Sequence, residues 1–308
     1  MVPLLWPRLA PGTYFPGAMT SSLSRVVAPV VEVFASFQGE GSFVGEAQVF
    51  LRLAGCPLRC RWCDTPGSWA MRPESPARIH RDGEPPQREK RVASPFQVAL
   101  WIAGVEPGEP RTVSITGGEP LMWPEFIRAL RPMLGSRRIH LETAGAHPES
   151  LARVLDVIDH VSLDLKLPSD MDEPVELEPL IVSAEGDDES DDESDDEGSV
   201  LSPINEPAPR TSDDWAMARR RCLDLIQDHD ACVKVVVSGG KPVREYDELF
   251  EDVARRAPDC PVFIAPATPM GGVSAPEFQD LVTVVENARD LGLDVRVLPQ
   301  VHRMLGIA

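Results

Sequence analysis

Short apolar, β-branched runs alternate with amphipathic stretches along most of this chain. Positions 30–34 and 48–53 read as strands, and 95–102 as a helix opening on Pro95 with Ser94 as its N-cap. The pattern then repeats as strand 111–116, helix 124–134, strand 138–142, helix 148–158 and strand 161–165. It resumes at Thr211, Ser212 and Asp213, a helix-start signal, with a helix running to about residue 228. Strand 232–237, helix 243–256, strand 261–265, helix 275–291 and strand 295–298 complete the series. Such alternation predicts an α/β fold with a mostly parallel sheet, either open or curled into a partial barrel. In these folds chemistry lies at the carboxyl ends of the strands.

Two stretches break the pattern. Residues 1–28 show no periodicity, and Pro3, Pro7 and Pro11 interrupt any apolar helix, so a disordered tail is expected there, with Met19 as an alternative start. Residues 170–212 read as an acidic, disordered insertion. Within it, 185–197 holds ten acidic residues and no basic one, more than half of the net charge of −19. A tract of that kind repels itself and cannot bury apolar surface. The expected organisation is therefore one domain over 29–308, interrupted at 170–212. General acidity argues against a nucleic-acid partner, and the basic run Arg219, Arg220 and Arg221 reads as a solvated helix face. No apolar run approaches about 18 residues, so no membrane span is expected.

Cysteine usage narrows the chemistry. The chain has six cysteines, of which Cys56, Cys60 and Cys63 fall in C-x-x-x-C-x-x-C spacing just after the second strand. That is no disulfide scaffold, and free thiolates fit a reducing cytoplasm. Three thiolates can hold three irons of a [4Fe–4S] cluster and leave the fourth open to a small molecule. The competing readings are a structural zinc site, which ordinarily takes four ligands in pairs, or chance clustering in a loop. Two further groups also fall at strand ends: Thr116, Gly117, Gly118, Glu119 and Pro120 after the third strand, and Lys166 after the fifth.

The cysteine triad followed by Gly117, Gly118, Glu119 and Pro120 resembles the radical S-adenosylmethionine superfamily. The segment Gln38-Gly39-Glu40-Gly41 ahead of the triad, Arg52-Leu53-Ala54-Gly55-Cys56 leading into it, and Cys63-Asp64-Thr65 closing it resemble one branch, the 7-carboxy-7-deazaguanine synthase family. The likeness covers about 30–65, 112–120, 163–169 and the segment from 265, and spares the first 25 residues and the insertion.

The resemblance implies a partial, incomplete TIM-like barrel. Cys56, Cys60 and Cys63 would hold the [4Fe–4S] cluster, and Thr65 a Mg²⁺ ion. Contacts to S-adenosylmethionine would come from Trp62, Cys63, Asp64, Gly118, Glu119, Asp164, Leu165 and Lys166. Gly117 and Gly118 would let backbone approach the methionine part, while Glu119 would accept from its amino group. Phe37, Gln38, Gly39, Arg52 and Thr116 would contact the substrate: Phe37 as a flat wall, Gln38 on the ring edge, Arg52 as a fork on a carboxylate. No side chain is assigned the chemical step, since a 5′-deoxyadenosyl radical made from the cofactor abstracts hydrogen in this superfamily. The implied reaction converts 6-carboxy-5,6,7,8-tetrahydropterin to 7-carboxy-7-deazaguanine with loss of ammonia, on the way to queuosine. A flavodoxin- or ferredoxin-type electron donor and a homodimer are implied as partners.

Departures from the family pattern are specific. Asp164-Leu165-Lys166 stands where many members carry Ser-Pro-Lys, so Asp164 would replace the serine as an acceptor. The chain ends in Ile307 and Ala308, where many members end in a substrate-contacting proline. His302 reads as a structural hydrogen-bonder near the site. Two rivals stay open at this point: another radical enzyme such as a glycyl-radical activase, and a zinc-binding interaction module.

Overall fold

The computed structural model describes residues 26–106, 108–109, 111–182 and 199–306. Strand β1 (Ala28–Phe37) turns back into β2 (Ala47–Leu53), and the cysteine loop that follows contains the two-residue strand β3 (Arg59–Cys60). Short strands β4 (Ala77–His80), β5 (Gln87–Glu89) and β6 (Val92–Ala93) lead to helix α1 (Pro95–Val105). The Ser94 hydroxyl accepts from Gln97 N–H, so the expected N-cap forms. Then come β7 (Val113–Gly117), α2 (Pro124–Leu130), β8 (Ile139–Thr143), α3 (Pro148–Val154) and β9 (His160–Leu165). Strands β10 (Met171–Asp172), β11 (Leu180–Val182) and β12 (Ser199–Leu201) precede α4 (Ser212–Ile226). The chain closes with β13 (Ala231–Val237), α5 (Asp247–Arg256), β14 (Val262–Pro266), α6 (Phe278–Asp290), β15 (Val295–Val297) and α7 (Val301–Leu305).

The main sheet has the order β15-β14-β13-β9-β8-β7-β2-β1-β4-β5, with β6 on β1. From β2 to β15 every pairing is parallel, whereas β1 lies antiparallel to β2. The two end strands do not pair with each other, so the sheet is open, as an incomplete barrel requires.

Period-2 alternation sorts each strand into two faces. Val161, Leu163 and Leu165 of β9, with Val233, Val235 and Val237 of β13, join the apolar core that also takes Phe126, Leu223 and Phe250 from the helices. Between them, on the opposite face, stand His160, Ser162 and Asp164 of β9, and Cys232 and Lys234 of β13. That polar face is the one that carries the cavity.

Three expectations change. Residues 183–198, including the acidic run 185–197, lie outside the described residues, as do 1–25, Ile307 and Ala308. The flanks of the expected 170–212 insertion are structured, however. Met171 pairs with Cys60 and Asp172 with Arg59, while β11 and β12 form an antiparallel pair. Beyond it, Glu206 accepts from the Glu149 and Ser150 N–H groups, so the returning arm caps α3. The helix expected from 275 starts instead at Phe278, and those expected over 124–134 and 148–158 end in 3-10 turns. Arg219 is buried, not solvated: it pairs with Asp252 at 2.6 Å and ties α4 to α5.

Candidate active site

The carboxyl ends of β2, β7, β9, β13 and β14 surround one cavity, lined by Cys56, Cys60 and Cys63 on one side and by Gln38, Arg52 and Glu142 on the other. Backbone bonds position the cysteine loop. Gly55 takes φ +96°, a left-handed value that suits glycine. From there Gly55 N–H donates to Ser68 O at 2.9 Å and Cys56 N–H to Trp69 O at 3.0 Å. Arg59 donates to the Cys56 and Leu58 carbonyls while stacking on Trp69. The short β3–β10 pairing and an Arg61 N–H bond to Asp170 O hold the far side.

All three thiols are free and share the cavity, whereas Cys222, Cys232 and Cys260 are buried and do not line it. Burial pushes the Cys60 thiol up to about 11, against the pull of Lys166; burial, Glu119 and Cys60 likewise hold Cys56 well above the usual range. Thiols so situated release protons on binding a metal. Among the described residues, no three His, Cys, Asp or Glu side chains converge closely enough for a single ion.

The glycines after β7 serve the protein's own packing. A Cβ on Gly117 would lie 2.1 Å from Leu53 O, and one on Gly118 would lie 2.7 Å from Gly55 O and 2.8 Å from Cys56 Cβ. Gly118 therefore lets β7 press against the cysteine loop, and both glycines still face the cavity. Glu119 departs from its expected part. It is buried and absent from the cavity wall; its carboxylate accepts from Leu121 N–H, Thr143 Oγ1 and Ala144 N–H. Its side chain fixes the turn and the end of β8. Alternation along β9 sends the Leu165 side chain into the core, while its neighbours Asp164 and Lys166 line the cavity.

Asp164 and Lys166 both line the cavity and pair at 2.6 Å, with Lys166 Nζ 4.2 Å from the centre of the Trp62 ring. Burial disfavours charge on Lys166, yet Asp164 and Cys60 hold its ammonium above the ordinary lysine range. Two buried polar atoms here have no partner in the protein, Asp164 Oδ1 and Trp62 Nε1, both on residues that line the cavity. Buried polar groups are rarely left so. Thr65 lines the cavity too; its carbonyl accepts from Ser68, while its hydroxyl makes no cap bond. Asp64 faces the cavity and meets Gln300 and Arg303 of the C-terminal segment.

The opposite wall is wired internally. Gln38 Nε2 donates to Glu142 at 2.9 Å, and Gln38 Oε1 accepts from Glu40 N–H at 3.1 Å. Arg52 uses Nε on Glu32, so only its Nη groups remain for a carboxylate. Parallel register places it beside Thr116. Phe37 is half exposed at the rim, and Phe34 stacked on Phe50 adds a second aromatic wall. Gly39 packs under His302, whose Nδ1 would lie 2.1 Å from an added Cβ, and His302 lines the cavity.

Glu40, Glu142 and Lys234 escaped the sequence reading as site side chains. Lys234 is 6% exposed and pairs with Glu40. Burial opposes ionisation of Glu40, but Lys234 brings its carboxyl down to about 2. A signal existed: a lone Lys inside a valine strand, and polar residues at every second place of β9.

Comparison with known proteins agrees with this geometry. A sequence profile described as the Radical SAM superfamily matches residues 51–179. A 7-carboxy-7-deazaguanine synthase of Geobacter sulfurreducens is 30% identical over 300 residues, which cover 92% of this chain and 99% of that protein. The synthase of Methanopyrus kandleri is 32% identical, over 90% of this chain and 92% of its own. This chain belongs to the 7-carboxy-7-deazaguanine synthase family. The solved structure of QueE from Escherichia coli superposes with a TM-score of 0.52 at 20% identity, over 91% of this chain and 96% of that one, and so supports the fold. Membership of the synthase family sets aside the glycyl-radical activase and the zinc module as descriptions of the chain.

Proposed function

We propose that the protein converts 6-carboxy-5,6,7,8-tetrahydropterin to 7-carboxy-7-deazaguanine with release of ammonia, in a route to 7-deazapurine nucleosides such as queuosine. One observation carries this reading: a thiol trio with unpaired polar atoms beside it shares a single cavity with a prearranged Gln38–Glu142–Arg52 wall. Cys56, Cys60 and Cys63 would hold the [4Fe–4S] cluster. Trp62, Asp64, Gly118, Asp164 and Lys166 would hold S-adenosylmethionine. When bound, these two groups supply one-electron chemistry that removes a hydrogen atom from the substrate.

The chain's own residues bind and orient. Arg52 offers its Nη donors to the pterin carboxylate, while the Nε bond to Glu32 fixes the guanidinium plane. Gln38, already bonded through one Nε2 hydrogen and through Oε1, keeps its other amide hydrogen for the ring edge. Glu142 is held ionised: burial opposes its charge most, but Lys234, His140 and the Gln38 bond together lower its carboxyl below the usual value, so it can accept from a ring N–H. Thr65 offers its hydroxyl to Mg²⁺, a hard ion that can share the substrate carboxylate. Phe37 and the strap around Gln300 and His302 shelter the cavity from water. A flavodoxin- or ferredoxin-type donor, a homodimer and a cytoplasmic setting complete the proposal.

The test is an anaerobic assay of reconstituted protein with S-adenosylmethionine, dithionite, Mg²⁺ and the carboxytetrahydropterin. Formation of 7-carboxy-7-deazaguanine with equimolar ammonia and no net loss of S-adenosylmethionine is expected. Cofactor cleavage without that product would refute the assignment.

A further inference from the structure

Lys234 stands among valines in the middle of β13, and the chain surrounds it with half-buried carboxylates. Register sets it opposite Asp164; its ammonium pairs with Glu40 and is held well above the ordinary lysine range, against burial, by Glu40, Asp164 and Glu142. Burying an ammonium costs several kcal/mol unless it is paired, so so many partners mark a built feature. Glu40 is anchored twice: Lys234 holds Oε2 from below, and Gln300 Nε2 donates to Oε1 at 2.8 Å from above. Gln300 in turn accepts from Thr268 and reaches Asp64, while Val301 N–H donates to Gly39 O at 3.1 Å. The pair thus ties β13 to the segment 38–40 and to the strap 300–303 at the start of α7, of which Gln300 and His302 line the cavity.

Granted the reading of this cavity as a carboxypterin site, we infer that Lys234 and Glu40 are positioning residues that hold segment 38–40 and the strap in the pterin-binding arrangement. They act through Gln38, Gly39 and Gln300. The S-adenosylmethionine side hangs mainly on the cysteine loop and meets this network at Asp164, beside Lys234, and at Asp64, on Gln300.

Glu40→Gln keeps the volume and the contact to Gln300 but removes the ion pair; Lys234→Met removes it from the other side. Each is made in reconstituted holoenzyme, with iron content and thermal midpoint as the check on folding. For Glu40→Gln we expect KM for the carboxytetrahydropterin to rise about tenfold, as loss of one charge-assisted contact would give. KM for S-adenosylmethionine, which meets the network only at Asp64 and Asp164, should rise by less, about twofold at most, and the Val301 amide should exchange its hydrogen about tenfold faster. If Lys234→Met fails to fold, Glu40→Gln decides alone. Unchanged pterin KM together with unchanged Val301 exchange overturns the inference, as does an equal rise in both KM values. Should wild type turn over no pterin, the functional reading fails separately, while exchange at Val301 still tests the clamp.

Discussion

The two walls of the cavity are built on opposite plans. On the cysteine side the backbone is pinned by Ser68, Trp69 and Arg59, yet the side chains that face inward are left incomplete: three free thiols, Asp164 Oδ1 and Trp62 Nε1. On the opposite side the polar side chains are already tied to one another, through Gln38–Glu142–Ser114, Glu40–Lys234 and Arg52–Glu32, with donors of Arg52 and Gln38 to spare. The difference teaches where binding energy goes. An incomplete wall gains its partners from a ligand, and a complete wall fixes the shape and charge the ligand must match.

The contrast is open to breakage on the cysteine side first. Cys60→Ala should abolish product and leave protein that cannot keep a four-iron cluster, measured by iron and sulfide analysis. Gly118→Ala comes next. A Cβ there meets Gly55 O at 2.7 Å and Cys56 Cβ at 2.8 Å, so the loop must shift. Because displacements near about 1 Å cost roughly 100-fold, kcat/KM should fall by about that factor, with cluster content reduced. Asp164→Asn removes charge from the unpaired acceptor. Calorimetry on the cluster-loaded protein should show S-adenosylmethionine bound about tenfold more weakly, with pterin KM little changed.

Stability should report the complete wall's underside. His140, 1% exposed beneath Glu142, bonds Ser162 and is held down to about 4, first by burial. Its depressed value means that the unfolded chain binds a proton first as pH falls. Stability is thus full above about pH 6.5 and declines toward pH 4, by on the order of 2–3 kcal/mol. His140→Gln should flatten that part of the curve in denaturant titrations. The smallest effect is expected from replacing 183–198 with an Asn-Gly turn. Strands β11 and β12 already pair across it, so activity should change less than about twofold.

Much of this was legible in the residues. Spacing gave the thiol trio, and strand–helix alternation gave the parallel sheet with its motifs at one end. Residues whose work is tertiary were not legible. Glu119 sits in a ligand-like motif yet bonds Leu121, Thr143 and Ala144, contacts that only the folded end of β8 supplies. Leu165 lies between two cavity residues, but strand alternation turns it away. Lys234 and Glu40 are 194 places apart in sequence and meet only because β13 and the β1–β2 turn close on one cavity. The flanks of 170–212 looked structureless because acidic composition masked two short strand pairings.

The claim of an incomplete wall is tested most directly by electron paramagnetic resonance of the reduced, reconstituted protein with and without S-adenosylmethionine. A [4Fe–4S] signal whose g-values shift on adding the cofactor, and shift far less in Asp164→Asn at the same concentration, is the expected result. A cluster signal indifferent to the cofactor, or bound zinc without sulfide, would contradict it.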